Sequence, residues 1–118
     1  MSVSDVAIYN RLFVYGTLAP GESNQHLLAD LAGSWQPATV RGQLYPNGIG
    51  LTLGYPALVL RESGELVQGK LFSSEQLPDY WDILDDFEGE GYQRVVCPAQ
   101  LVSAGSVPAF VYVLNENH

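Results

Sequence analysis

Residues 11–21 read Arg-Leu-Phe-Val-Tyr-Gly-Thr-Leu-Ala-Pro-Gly. Arg11–Tyr15 is an apolar, β-prone run, and it stops abruptly at a breaker-rich loop, Gly16–Gly21. The same pattern of strand followed by breaker recurs outward along the chain. Ala38–Tyr45 alternates and reads as a strand, and Pro46-Asn47-Gly48 is turn chemistry. Ala57–Arg61 is another strand. Gly64-Glu65 then turns into Leu66–Phe72, and the two strands look like a hairpin. Tyr92–Val96 and Ala99–Val102 read as strand, with Pro98 marking an edge or bulge. Val107–Leu114 is the final strand, before a polar tail.

Helices are fewer. Ser23 or Asn24 is a candidate cap for a short helix over His26–Leu31, ending before Gly33. The clearest helix spans Ser73–Phe87. Ser73 and Gln76 fit a capping box, and Leu77, Tyr80, Trp81 and Leu84 follow the i, i+3, i+4, i+7 spacing of a buried stripe. Pro78 is tolerable only near the first turn, and Gly89 and Gly91 end the helix. Strands outnumber helices by about six to two, and few are separated by helix-length crossovers. The expected architecture is α+β: a small mixed, largely antiparallel β-barrel with one main helix packed at its side.

Length and composition bound what such a barrel can do. The 118 residues suffice for one domain, 1–118, with a core over about 11–114. Five basic and thirteen acidic residues give a net charge of −8. Nucleic acid and anionic membranes, which need a basic footprint, are therefore not expected partners. No apolar run approaches a membrane span. Met1–Asn10 lacks the pattern of a signal peptide, so a cytoplasmic protein is expected. A single cysteine, Cys97, makes no internal disulfide. Two histidines leave little for a zinc site, and no metal or other cofactor is expected. What remains is a domain expected to handle small molecules or protein partners, as a monomer or weak homodimer.

Residues 75–90 carry Glu75, Asp79, Asp82, Asp85, Asp86, Glu88 and Glu90 and no base. Most read as a solvated acidic face. Glu88 differs. At ~100° per residue it lies about 20° from Trp81 and about 40° from Leu84, so it continues the apolar stripe. A carboxylate there pays for desolvation with a raised proton affinity, which suits a general acid/base near neutral pH. Alternatively Glu88 sits just past the helix end, in water, or pairs with Arg94. Arg94 itself reads as one half of a strand-surface ion pair.

Tyr15-Gly16-Thr17-Leu18 follows a strand directly. Glycine there lets the backbone turn sharply, and successive free N–H groups in such a turn can cradle a carboxylate. It is neither a Walker loop nor G-x-G-x-x-G, so nucleotide binding is not supported. Cys97 reads as a buried small hydrophobe. Ser23, His26 and Asp30 read as cap and helix surface rather than a triad. Tyr55, Tyr92 and Tyr112 fall near strand ends, where a ring lines a pocket or simply packs.

Phe13–Gly21 and Leu84–Gly89, the latter followed by Tyr92-Gln93-Arg94-Val95, resemble the gamma-glutamylcyclotransferase-like superfamily. Gly54–Val59, Val67–Phe72 and Ala109–Tyr112 support the likeness, which runs from about Arg11 to Leu114. It is nearest the gamma-glutamylamine cyclotransferase branch. The resemblance implies a small mixed barrel with flanking helices. It implies that Tyr15, Gly16, Thr17 and Leu18 form the floor of a pocket whose backbone N–H groups bind a substrate α-carboxylate. It implies Glu88 as the acid/base residue; Tyr92 and Tyr112 are candidate substrate-binding residues beside it. The reaction implied is cyclisation of a γ-glutamyl amine or amino acid to 5-oxoproline with release of the amine. Members of the superfamily act on γ-glutamyl amino acids, glutathione or γ-glutamyl-ε-lysine. The alternative is a non-catalytic module that holds a small carboxylate or a peptide on the same fold.

Overall fold

β1 (Arg11–Val14) is buried on both faces, which accounts for its unbroken apolar character. In the computed structural model, which describes residues 8–16, 25–102 and 105–115, Phe13 points into one core and Leu12 and Val14 into another. The remaining elements, in chain order, are α1 (His26–Ala29), β2 (Ser34–Tyr45), a 3-10 turn (Gly50–Thr52), β3 (Ala57–Leu60), β4 (Glu65–Ser73), a second 3-10 turn (Leu77–Asp79), α2 (Trp81–Glu88), β5 (Tyr92–Leu101) and β6 (Ser106–Leu114). The strand order is β3-β2-β4-β1-β6-β5. A further pairing of β2 with β5, Ala38 opposite Leu101 and Thr39 opposite Gln100, closes five strands into a barrel. β3 stays outside, on the other edge of β2. β1 and β6 run parallel, and all other pairs are antiparallel. The mixed, largely antiparallel barrel expected from the sequence is what forms.

The pleat divides the side chains between two cores. On β6, Ala109, Val111 and Val113 face the barrel interior, where they meet Phe13, Val40, Leu71 and Ala99. Phe110 and Tyr112 face outward and are covered by Leu28 of α1 and by Leu77, Trp81 and Leu84. α2 lies on this outer layer, and Leu84 is fully buried in it. Truncating Leu84 to Ala would cost roughly 2–5 kcal/mol. Among the described residues no helix is long and apolar enough to cross a membrane.

The structure corrects several expectations. The helix expected over Ser73–Phe87 is broken. Ser73 ends β4, Pro78 sits in the 3-10 turn, and α2 begins only at Trp81. Ser74, not Ser73, supplies the hydroxyl that accepts from the Gln76 N–H. That hydroxyl donates to the Ala32 carbonyl, and the Gln76 side chain accepts from the Ala32 N–H. Residues 73–76 are therefore tied to a distant loop rather than wound into a helix. β3 and β4 do not form a hairpin, because β2 lies between them: Gly42 faces Leu60 on one edge and Glu65 on the other. The short 61–64 connection crosses over Gly42. A Cβ at Gly64 would come within 2.7 Å of the Gly42 carbonyl, so only glycine fits. β5 is one continuous strand, with Pro98 opposite Pro108. β2 starts at Ser34, and α1 stops at Ala29. The capping residues Ser23 and Asn24 lie outside the described residues.

Candidate active site

The end of β1, the end of α2 and the 50–56 loop converge on a cavity of about 350 Å³, within the size range of small-molecule sites. Tyr15 and Gly16 line it at the end of β1. Glu88 lines it from the last residue of α2, and Tyr92 and Tyr112 line it from β5 and β6. Thus the described members of the expected site, Tyr15, Gly16, Glu88, Tyr92 and Tyr112, come together. Thr17 and Leu18 lie outside the described residues.

Glu88 reaches the cavity because α2 holds its register to the last turn. Trp81 and Leu84 anchor the stripe that Glu88 continues. Gly89 follows at φ 77°, a left-handed conformation that favours glycine, and its N–H closes the helix on the Asp85 carbonyl. Burial pushes the Glu88 carboxyl up to about 7. Among the described residues no donor reaches that carboxyl, and Arg94 does not pair with it.

Arg94 pairs instead with Asp85, one turn earlier, through Nε at 2.9 Å and a second nitrogen at 3.2 Å. The guanidinium also lies 4.5 Å from the Trp81 ring centroid and 4.6 Å from that of Phe110. The Tyr112 hydroxyl donates to the same Asp85 carboxylate at 2.6 Å. Burial opposes the Asp85 charge, but the hydrogen bonds from Arg94 and Tyr112 and the Arg94 charge outweigh it and hold this carboxyl below its ordinary value.

The tyrosine hydroxyls are engaged with the protein. Tyr15 donates to the Tyr112 carbonyl at 2.6 Å and accepts from the Leu58 N–H at 3.2 Å, pinning the end of β1 to β6 and β3. Burial, Tyr92 and Glu88 all raise its pKa. Tyr92 donates to the Pro56 carbonyl at 2.5 Å, fastening the 50–56 loop to the cavity. Its pKa is pushed up to about 12, by burial first and then by Glu88 and Tyr55. Burial and the Asp85 hydrogen bond raise that of Tyr112. These phenols stay neutral over the working pH range.

The backbone bends at Gly16, without a left-handed φ. Among the described residues a Cβ there would meet Pro56 Cγ, at 3.9 Å, an ordinary contact. Leu51, Thr52, Pro56 and Phe87 also line the cavity. Sequence reasoning missed them, because a loop 35 or more positions downstream of β1 carries no local sign that it folds back over it. Phe87 could have been found from its place beside Glu88. Tyr55, one of the strand-end tyrosines, does line the cavity. Cys97 is buried in the barrel interior, where its pKa is pushed up to about 12. His26 and Asp30 are exposed, and Ser23 lies outside the described residues.

Known proteins resemble this chain in sequence and in fold. Residues 12–118 match the family described as gamma-glutamyl cyclotransferase, AIG2-like. Gamma-L-glutamyl-butirosin B gamma-glutamyl cyclotransferase of Niallia circulans is 31% identical over 90% of this chain and 67% of its own length. The human gamma-glutamylaminecyclotransferase is 36% identical over 77% of this chain and 62% of its own, so the chain spans under two-thirds of that relative. The crystal structure of an AIG2-like protein from Mus musculus superimposes with a TM-score of 0.72 at 25% identity, covering 92% of this chain and 78% of that one. With the family match over residues 12–118, the relatives and the barrel in agreement, the chain belongs to the AIG2-like gamma-glutamyl cyclotransferase family.

Proposed function

We propose that the protein cyclises a γ-glutamyl amine or amino acid to 5-oxoproline, releasing the amine, with Glu88 as general acid/base. The observation that carries this reading is a carboxyl poised at about 7 on the wall of a ligand-sized cavity, beside the end of β1. Such a group exists in both protonation states near neutral pH, so it can accept and return a proton in one cycle.

The substrate holds nucleophile and electrophile in one molecule. The cavity selects the folded-back conformer that brings the α-nitrogen to the γ-carbonyl carbon, a proximity effect. Glu88 takes a proton from the α-ammonium. The freed nitrogen forms a bond to the γ-carbon, and the carbonyl oxygen gains charge. Glu88 then returns a proton to the departing nitrogen as the oxyanion re-forms the carbonyl and the γ-carbon–nitrogen amide bond breaks, and the ring nitrogen gives its second proton to the released amine, which leaves as its ammonium. The products are 5-oxoproline and the released amine. Backbone N–H groups of the Tyr15–Leu18 segment are suited to the α-carboxylate or the developing oxyanion, and such donors contribute a few kcal/mol to the barrier.

The test is a panel of γ-glutamyl-alanine, glutathione and γ-glutamyl-ε-lysine, with 5-oxoproline quantified for the parent and for Glu88→Gln. Product that disappears in the variant supports the assignment. Product from the variant at the parental rate contradicts it.

A further inference from the structure

The cavity has an unusual balance of hydrogen-bonding groups. None of the five Lys and Arg residues of the chain lines it. Arg94 is held by Asp85 and by two aromatic rings. Arg11 and Arg41 donate to backbone carbonyls elsewhere. Residues 17–24 contain no cation, so the loop after Gly16 brings none. The hydroxyl protons of Tyr15, Tyr92 and Tyr112 already point at protein acceptors, which leaves only their lone pairs for a ligand. Thr52 likewise donates to Ile49.

The rim is apolar. Leu51 is 63% exposed, Tyr55 58% and Phe87 42%, and all three line the cavity mouth. Their surfaces stay in water until a ligand covers them. Two carboxylate-bearing leaving groups, a free amino acid and a dipeptide, would place a negative charge against this rim, where among the described lining residues no cation is present and Tyr55 carries the one uncommitted hydroxyl. An alkyl or aryl body would bury apolar surface on both sides.

We infer that Leu51, Tyr55 and Phe87 form a leaving-group subsite selecting an uncharged, apolar alkyl or aryl amine, and that this subsite rather than Glu88 sets substrate preference. The inference rests on the cyclotransferase reading above. Each methylene that the rim covers should raise kcat/KM about three- to fourfold, until the rim is filled.

The experiment compares γ-glutamyl-ethylamide, -butylamide, -hexylamide and -benzylamide with γ-glutamyl-alanine and γ-glutamyl-ε-lysine, reading 5-oxoproline. The expected result is a kcat/KM that climbs along the alkyl series, with butylamide at least tenfold above both carboxylate-bearing compounds. Leu51→Ser and Phe87→Ser should each flatten the climb, lowering the hexylamide-to-ethylamide ratio severalfold. Turnover that is equal along the series, or best with γ-glutamyl-alanine, overturns the subsite while leaving the cyclotransferase standing. Binding of the same amides to Glu88→Gln, read by calorimetry, separates the two readings. Affinity that rises with chain length, with no product from the parent, supports the apolar subsite and overturns the reaction. Affinity independent of chain length overturns the subsite whatever the turnover.

Discussion

α2 presents two carboxylates one turn apart, and they meet opposite surroundings. On the strand-facing side, Asp85 accepts from Arg94 and Tyr112 and is held below its ordinary pKa. On the cavity side, Glu88 is half-buried without a described donor, and the loss of water around it pushes its pKa up to about 7. One helix thus carries a fixed structural anion and a titrating group three residues apart. The difference teaches that an acidic run does not specify a role. Partners supplied by other strands do, here Arg94 on β5 and Tyr112 on β6.

This contrast can be broken from either side. Glu88→Gln keeps the shape of the side chain and removes its proton traffic, so kcat should fall by about 10²–10⁴ with little change in the fold. Steady-state rates of 5-oxoproline formation, together with circular dichroism, check this. Asp85→Asn should act mainly on stability. It loses the ion pair and leaves Arg94 between Trp81 and Phe110 without its counter-charge. Because the Asp85 side chain is 40% exposed, solvent screens the pair, and the expected loss is roughly 1–2 kcal/mol. The sign with pH follows from the lowered pKa. The contribution is present above the ordinary carboxylate range and is lost as pH falls through the depressed value. Urea unfolding of parent and variant at neutral and acid pH would show the gap closing in acid.

The smallest effect runs the other way. The raised pKa of Glu88 means that the folded state favours the protonated form, so parental stability declines as pH rises from the ordinary carboxylate range through about 7. Glu88→Gln escapes that decline. Above pH 8 it should be more stable than the parent, by roughly 1 kcal/mol once partial exposure is discounted, and no different below pH 4. Thermal melts at the two pH values sharpen the comparison: the cavity carboxylate is expected to cost stability where Asp85 supplies it.

Much of this was legible in the sequence because it was local. The stripe of Leu77, Trp81 and Leu84 predicts which face of α2 is buried, and extending it by one turn predicts that Glu88 faces inward. The strand runs and their breakers predict a closed sheet. What the sequence concealed was non-local. Ser74 and Gln76 are diverted from a helix start by Ala32, 42 and 44 positions away. β3 and β4 read as partners because they are adjacent in the chain, yet β2 sits between them, a register decided by Gly42 and Gly64 passing at close range. Tyr15 was legible as a pocket-lining residue, but the engagement of its hydroxyl with Tyr112 and Leu58 was not. Arg94 was correctly expected in an ion pair, although only the folded barrel reveals Asp85 as its partner.

The most direct test of the central claim is the pH dependence of kcat/KM for one turned-over γ-glutamyl compound, in the parent and in Glu88→Gln. The free enzyme's essential base appears there as an acid limb. The account predicts a limb near 7 in the parent and its loss, along with most of the activity, in the variant. A limb in the ordinary carboxylate range, or one that persists unchanged in Glu88→Gln, would contradict it.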